Sequence, residues 1–307
     1  MTIEGPDFIC IGQPKAATGW LYDQLQFHPD FWMPPIKEIG YLQHEVGKLS
    51  SSGKRLRRLK RNEANGGDDA PPDGEAISES ASRADLDRRR NTADRDMQFL
   101  KMAKRLRGEE RDLARYKELF APKGELLSGD ITPGYGRLDA DLVAQVAEEM
   151  PQTKILFLVR DPVARAWSAI SMANRGRGFD HAVLEDRNAF RTFVEENRRI
   201  NDASRASVIA ERWRSAAPAL PFRIVLFDDI SEKPDEVLGG ILAYVGADPQ
   251  KRSELLPPRY NRKSTNEKLE MTDITQSVLV EIFADELKAS AAMFGGAAER
   301  WPAKYGL

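Results

Sequence analysis

Short apolar runs recur along the chain, and each is followed by a segment in which apolar residues have helical spacing. The runs are rich in branched residues and have the length of buried parallel strands. They occupy residues 8–11, 155–159 and 224–227. The segments with helical spacing occupy residues 19–27, 163–173 and 234–245. This alternation predicts an α/β fold, a doubly wound parallel sheet flanked by helices.

Two weaker patterns complete the expected domain. Residues 126–130 predict a fourth strand, and the apolar positions within 142–146 mark the helix after it. Apolar residues also recur at helical spacing between 278 and 294, where we expect a closing helix. We therefore expect residues 1–307 to form one domain.

A charged segment, residues 48–96, interrupts this order. Its basic run, 54–61, is followed by residues 63–79, in which every charged side chain is acidic. Such a composition buries too little apolar surface to offset the entropy lost on ordering, so it predicts a mobile insertion. Helical spacing of apolar residues resumes at Met97, which places the insertion inside the domain.

The charge and composition of the chain limit which binding partners and which cellular location can be expected. The formal net charge is −2 and the pI is about 6.1, so no overall field attracts nucleic acid or an anionic membrane. The single cysteine, Cys10, excludes an internal disulfide and fits a reducing compartment. The apolar runs are too short to span a bilayer, and the first residues lack the features of a secretion signal. We therefore expect a cytoplasmic protein.

The first strand leads into a loop suited to an anion. Residues 13–20, QPKAATGW, connect a strand to a helix, so that backbone N–H groups and the helix dipole are aimed at one point. Lys15 adds a mobile cation and Thr18 a hydroxyl donor. The residues small enough to leave the backbone accessible are Ala16, Ala17 and Gly19. The loop therefore predicts a phosphate site, although not the nucleoside-triphosphate loop, whose GK[ST] ending is missing.

A second phosphate site is predicted after the strand at 155–159. Arg160 lies at the carboxyl end of that strand, where open α/β sheets bind ligands. Pro162 suits the first turn of the next helix and places Ser168 near its second turn. The guanidinium and the hydroxyl together can bind one phosphate. Two separate phosphate sites suit a nucleotide that is phosphorylated at both ends.

The motifs at these two sites resemble those of the sulfotransferases that use 3′-phosphoadenosine 5′-phosphosulfate (PAPS). PKAATGWLYDQL is similar to the family's phosphosulfate loop, written PKSGTTWL or KxGTTxL, and LVRDPVARAWSAI to its 3′-phosphate motif. HPDFWMPPIKEIGYL is similar to HPxIxxPxxKEPHFF of the glycosaminoglycan and bacterial branch, and GDITPGY to its GExTPxY. The similarity covers most of residues 8–174 outside the insertion, and the stretch from FRIVLFDDI to GADP fits the family's later strand and helix.

This resemblance implies a P-loop-like fold and transfer of a sulfuryl group from PAPS to a hydroxyl or amine, without a metal. The residues implied to hold the phosphosulfate are Lys15, Ala16, Ala17, Thr18, Gly19 and Trp20. Arg160 and Ser168 would hold the 3′ phosphate, and Arg262 and Lys263 lie where the family closes a basic loop over the donor. The expected partners are a carbohydrate or small-molecule acceptor, with a homodimer left open.

The resemblance also implies catalytic roles. Lys15 would neutralise charge on the leaving group, and Glu38 of the Lys37-Glu38 pair would be the general base, with His44 as an alternative base. The sequence departs from the family at two places. Gly19 stands where the family loop has a second hydroxyl, and IGYL stands where PHFF follows the lysine–glutamate pair.

Two other functions are compatible with parts of the sequence. A P-loop kinase or nucleotide hydrolase would use Asp228 or Asp229, at the end of FRIVLFDDI, to bind magnesium. A non-catalytic module could bind an anionic polymer through the basic run 54–61. The kinase or hydrolase alternative leaves the combination of Arg160 and Ser168 unexplained, because a triphosphate does not need it.

Overall fold

A parallel sheet of four strands lies at the centre of the computed structural model, which describes residues 5–43, 83–106, 109–174, 179–251 and 269–307. The strands are β1 (Phe8–Cys10), β2 (Gly129–Ile131), β3 (Lys154–Val159) and β4 (Phe222–Leu226). Their order is β2-β1-β3-β4. All four predicted strands are confirmed, with different ends. β1 ends one residue before the predicted 8–11, and β2 occupies 129–131 rather than 126–130. β4 begins two residues before the predicted 224–227 and ends one residue early, because Phe227 begins a helix.

The described residues also form helices on both faces of the sheet. They are α1 (Thr18–Gln26), α2 (Arg83–Arg105), α3 (Leu113–Glu118), α4 (Ala140–Glu149), α5 (Pro162–Ala173), α6 (Arg187–Glu196), α7 (Ala206–Ala216), α8 (Phe227–Glu232), α9 (Pro234–Val245), α10 (Asp273–Phe294) and α11 (Arg300–Lys304). The helices predicted from apolar spacing are confirmed as α1, α4, α5, α9 and α10. The α/β fold class is therefore as predicted.

Alternate side chains of the strands build two apolar layers, because successive residues of a strand point to opposite faces. Phe8 and Leu156 belong to the layer that packs against α1 and α9. Ile9 and Phe157 belong to the layer that packs against α4, α5, α7 and α10. The connection that leaves β1 therefore covers one face of the sheet, and the connection that leaves β3 covers the other.

This topology creates a crevice at the carboxyl edge of the sheet. β1 and β3 are neighbours, and the chain leaves them toward opposite faces. In open α/β sheets such a switch in direction is where ligands bind. The two segments predicted to bind phosphate, 13–20 and 160–168, directly follow β1 and β3, so the fold brings both to this crevice.

The predicted insertion ends in a helix that packs on the domain. α2 begins at Arg83, whereas apolar spacing predicts a start at Met97. The carboxylate of Asp96 accepts a hydrogen bond from Trp32 Nε1 at 3.0 Å, and Arg95 Nη1 donates to the carbonyl of Lys123 at 2.6 Å. The first half of α2 is highly charged and has no apolar residues at helical spacing, so the sequence pattern does not predict a helix there. The runs 54–61 and 63–79 lie outside the described residues.

Two helices between β3 and β4, α6 and α7, are absent from the sequence prediction. The N-terminus of α7 is capped by Glu286 of α10, whose carboxylate accepts hydrogen bonds from Ser207 N at 2.9 Å and Ser207 Oγ at 2.6 Å. Ser290 Oγ donates to the same carboxylate at 2.7 Å. None of the helices in the described ranges has the length and apolar character required to cross a membrane.

Candidate functional site

The loop after β1 has a backbone shape that suits anion binding. Lys15 and Ala17 have φ values of 75° and 66°, in the left-handed region that side chains with a Cβ rarely adopt. Ala17 is the N-cap of α1 and provides no side-chain cap. The N–H groups in the first turn of a helix have no acceptor within the helix, so they are available to a ligand.

Access to this N-terminus is at Gly19, since Ala16, Ala17 and Thr18 are buried. A Cβ added to Gly19 would meet no atom within 4 Å, so the position that lacks the family's second hydroxyl faces open space. The Trp20 side chain is 6% exposed and packs in the apolar layer beside Leu21. Of the residues assigned to the phosphosulfate, Trp20 can therefore contribute its backbone rather than its indole.

A buried glutamine ties this loop to the end of β3. Gln13 is 0% exposed; its Oε1 accepts a hydrogen bond from Arg160 N at 2.9 Å, and its Nε2 donates to the carbonyl of Ala203 at 3.0 Å. One side chain thus joins both segments that were predicted to bind phosphate to the turn at Asp202–Ser204. Sequence reasoning quoted Gln13 within the loop and assigned it no role.

Arg165 is a second residue that sequence reasoning missed. Its side chain on α5 is 1% exposed. Its Nε donates to the carbonyl of Pro14 at 3.1 Å, and its guanidinium also donates to the carbonyls of Ile200 and Arg199 at 2.8 and 2.9 Å. Burial, together with the nearby charges of Arg137 and Arg160, lowers its pKa to about 9. An arginine among apolar neighbours in the motif RDPVARAWS was the available signal.

Arg160 and Lys15 meet at the crevice. Arg160 Nη1 donates to the carbonyl of Lys15 at 3.0 Å, and its guanidinium lies 4.3 Å from the centre of the Phe227 ring. Lys15 Nζ lies 3.6 Å from Met172 Sδ. Met172 follows Ser168 by four residues on α5, so the two share one face of that helix. The structure therefore brings Lys15, Arg160 and the Ser168 face of α5 together.

The segment that carries Glu38 runs alongside β2. Phe31 pairs with Leu127 in a parallel bridge, and Glu38 N donates to the carbonyl of Ile131 at 3.1 Å. The segment therefore reaches the carboxyl edge. There, burial raises the pKa of the Cys10 thiol at the end of β1 to about 12, and the hydrogen bond to the Gly12 carbonyl and the nearby charge of Lys37 oppose that rise. Glu38 thus lies on the same edge of the sheet as the phosphate loop.

The Glu38 side chain is well placed to meet a substrate from solvent. Its φ is 66°, in the left-handed region, and its carboxylate is 55% exposed. Glu38 Oε1 lies 2.7 Å from Lys37 Nζ. This exposure leaves the Glu38 carboxylate within reach of a bound substrate, which the expected role of general base requires.

A buried carboxylate supports the backbone that follows Glu38. Asp130 accepts hydrogen bonds from Thr132 Oγ1 at 2.6 Å, Tyr135 OH at 2.8 Å and Tyr116 OH at 3.0 Å. Thr132 Oγ1 in turn accepts from Gly40 N at 3.3 Å, and Tyr135 OH from Leu42 N at 3.3 Å. Burial raises the pKa of Asp130 to about 6. Sequence reasoning noted the motif GDITPGY and gave Asp130 no role.

Asp130 makes stability depend on pH, and Asp130→Asn isolates that dependence. On folding, the pKa of Asp130 rises from 3.8 to about 6. Between these values the folded chain holds a proton that the unfolded chain has lost, so stability falls as the pH rises. The shift corresponds to about 2–3 kcal/mol. We expect urea titrations to show that the free energy of unfolding of the native chain falls by this amount, relative to that of Asp130→Asn, between pH 4 and pH 7. A difference between the two chains that does not change with pH would contradict the prediction.

Three residues assigned from the sequence, His44, Arg262 and Lys263, lie outside the described residues. The chain re-enters the described part at Leu269, whose carbonyl accepts a hydrogen bond from Trp167 Nε1 at 3.0 Å. Trp167 directly precedes Ser168. Leu269 therefore lies beside the α5 motif that contains Ser168.

The acids assigned to magnesium in the kinase alternative lie in the first turn of α8. Burial raises the pKa of Asp228. Within the ranges that the structure describes, no group of three or more His, Cys, Asp or Glu side chains has the spacing to hold a metal ion.

Comparison with known proteins gives one matching family model and a solved structure of the same fold. The model of the sulfotransferase family matches residues 6–250. No protein with a curated description matches the sequence significantly. A solved sulfotransferase from Alicyclobacillus acidocaldarius superposes with a TM-score of 0.60 at 18% identity, covering 96% of this chain and 98% of that one. This superposition shows the same fold.

Two further solved structures are more distant. The sulfotransferase domain of the Synechococcus PCC 7002 olefin synthase has a TM-score of 0.42 at 15% identity, covering 98% of this chain and 94% of that one. Sulfotransferase STF9 from Mycobacterium avium also has a TM-score of 0.42, at 13% identity, covering 93% of this chain and 69% of that one.

Proposed function

Because the chain belongs to the sulfotransferase family, we propose that it transfers a sulfuryl group from PAPS to a hydroxyl or amine of a carbohydrate or small-molecule acceptor. The observation that carries this proposal is the meeting of two anion-binding motifs at one crevice. The loop of Lys15 follows β1, the motif of Arg160 and Ser168 follows β3, and Arg160 Nη1 donates to the carbonyl of Lys15 at 3.0 Å.

The residues present fit the donor. The N-terminus of α1, which has open space at Gly19, suits the phosphosulfate. Arg160, which follows β3, and Ser168, in the second turn of α5, suit the 3′ phosphate. Arg262 and Lys263 are proposed as further contacts to that phosphate. When bound, PAPS supplies the sulfuryl group and a bisphosphate leaving group.

The chain's own residues would provide positioning and charge. Lys15 and the first-turn amides of α1 stabilise negative charge that grows on the leaving oxygen. Glu38 Oε accepts the proton that the acceptor hydroxyl loses as its oxygen bonds to sulfur. Arg165 and Gln13 hold the loop and the end of β3 in register, so that both phosphate sites keep their separation.

The alternatives explain fewer observations. A nucleotide kinase needs the GK[ST] ending, which the loop lacks, and the family match favours sulfuryl transfer. A passive anion-binding module would not need an exposed Glu38 beside the phosphate loop. We also propose that residues 1–307 form one domain, with the insertion 48–96 contributing to acceptor choice. The cytoplasmic location and the homodimer stay predictions.

A ligand-binding measurement separates the proposed function from the kinase. We expect adenosine 3′,5′-bisphosphate to stabilise the protein without added metal, by about 2.7 kcal/mol at ~100 times its Kd. ATP with magnesium should stabilise it far less, because it offers no 3′ phosphate to Arg160 and Ser168. Thermal unfolding with each ligand checks this. An equal effect of ATP, or a strict need for magnesium, would overturn the proposal.

A further inference from the structure

The segment at 296–305 packs against the end of the sheet beside the second phosphate motif. It consists of a short turn, Gly296–Glu299, and of α11. Trp301 is 2% exposed and belongs to the apolar layer that contains α5. The packing of Trp301 places Lys304 and Tyr305, at the end of α11, beside the start of α5.

Both residues bind the carboxylate of Asp161, which is 3% exposed. Asp161 Oδ2 accepts hydrogen bonds from Lys304 Nζ at 2.8 Å and from Tyr305 OH at 2.6 Å. The other oxygen, Oδ1, caps α5 by accepting from Val163 N at 2.9 Å and Ala164 N at 3.1 Å. Both oxygens of this buried acid are therefore engaged.

The position of Asp161 makes its charge important for an anion site. It directly follows Arg160, the residue proposed to bind the 3′ phosphate. A second acid, Asp228, follows Phe227, on whose ring the guanidinium of Arg160 stacks. Burial raises the pKa of Asp228; the charge of Asp161 adds to that rise and the charge of Lys304 opposes it. The three charges of Asp161, Asp228 and Lys304 therefore act on one another close to Arg160.

Two negative charges at this place would oppose a phosphate dianion, since charges inside a protein are screened less than charges in water. They would also attract the guanidinium of Arg160 away from a ligand. Lys304 supplies a compensating positive charge, and the hydroxyl of Tyr305 fixes Oδ2 of the carboxylate. Neither residue lies within the motifs that the sequence showed.

We propose that Lys304 and Tyr305 are positioning residues of the donor site: they hold and neutralise Asp161, so that Arg160 binds the 3′ phosphate rather than its neighbouring acid. This inference rests on the proposed function, since it assumes that Arg160 binds that phosphate. Its distinctive consequence is that the need for Lys304 disappears once Asp161 carries no charge.

The test measures the Kd of adenosine 3′,5′-bisphosphate by calorimetry for the full chain and for three variants. Lys304→Met should raise the Kd about three- to tenfold, the range expected when a partly exposed partner of a charge pair is removed. The double variant Lys304→Met with Asp161→Asn should return to within about twofold of the native value, because asparagine keeps an oxygen to cap α5 and removes the charge. Arg300→Met is the matched control: it removes a cation from the same helix, at an exposed ion pair with Glu232, and should leave the Kd unchanged.

The outcomes separate the inference from the proposed function. If the native chain does not bind the bisphosphate, both the proposed function and the inference are wrong. If it binds and Lys304→Met binds equally well, only the role of Lys304 is wrong. If the double variant binds as weakly as Lys304→Met, the segment supports the fold without neutralising Asp161, and the inference is overturned. Should Lys304→Met fail to fold, Tyr305→Phe and Tyr305→Phe with Asp161→Asn provide the same comparison with a smaller structural change.

Discussion

Replacing Lys15 with alanine is expected to lower kcat by about 100- to 1,000-fold, the loss typical when one group that stabilises transition-state charge is removed. Lys15 sits in the left-handed turn that precedes α1, and its ammonium reaches across the crevice to Met172 on α5. Its ammonium is therefore positioned to stabilise the negative charge that develops on the leaving oxygen. Interactions that strengthen in the transition state appear in kcat, whereas uniform binding appears in KM.

Steady-state kinetics with saturating donor measures this effect. Lys117→Ala is the matched control. Lys117 pairs with Glu149 at the C-terminal end of α4, so this substitution removes the same charge far from the crevice. Lys15→Arg should recover part of the rate, because it keeps the charge and changes its geometry. A Lys15→Ala variant with a raised KM and a native kcat would show that Lys15 binds substrate without assisting the transfer.

Replacing Glu38 with glutamine is expected to lower kcat by about 100- to 10,000-fold, the usual contribution of a positioned general base. Glutamine has almost the same shape and still offers an oxygen to Lys37 Nζ, so the backbone turn at φ 66° and the contact with Lys37 can persist. It cannot accept the proton of the acceptor. The affinity for adenosine 3′,5′-bisphosphate should therefore stay near the native value.

The comparison that decides the base is between Glu38→Gln and His44→Ala, both assayed for kcat and for bisphosphate affinity. We expect the large loss only in Glu38→Gln. A large loss in His44→Ala with a native rate in Glu38→Gln would assign the base to His44. A loss of bisphosphate affinity in Glu38→Gln would instead show that the lysine–glutamate pair shapes the donor site.

Local patterns were sufficient for the strands and for the helices that follow them. The run 154–159 is buried on both faces of the sheet, so nearly every residue is apolar and the strand is visible without its neighbours. Helix α2 shows the opposite case. Its first half carries almost no apolar residue, and its position depends on contacts such as Trp32 Nε1 with Asp96. The sequence therefore predicted a later start at Met97.

Local patterns were also enough to predict the fold class, the family resemblance and the two phosphate motifs, because each depends on residues close together in the chain: an apolar run, a turn of small residues, an arginine at the end of a strand. The residues that support these motifs became visible only in the folded chain. Gln13 bonds to Arg160 across 147 positions and Lys304 to Asp161 across 143. Glu286 caps Ser207 from 79 positions away. Such contacts leave no periodic or local pattern, since a buried polar side chain can find its partner on any element that the fold brings near.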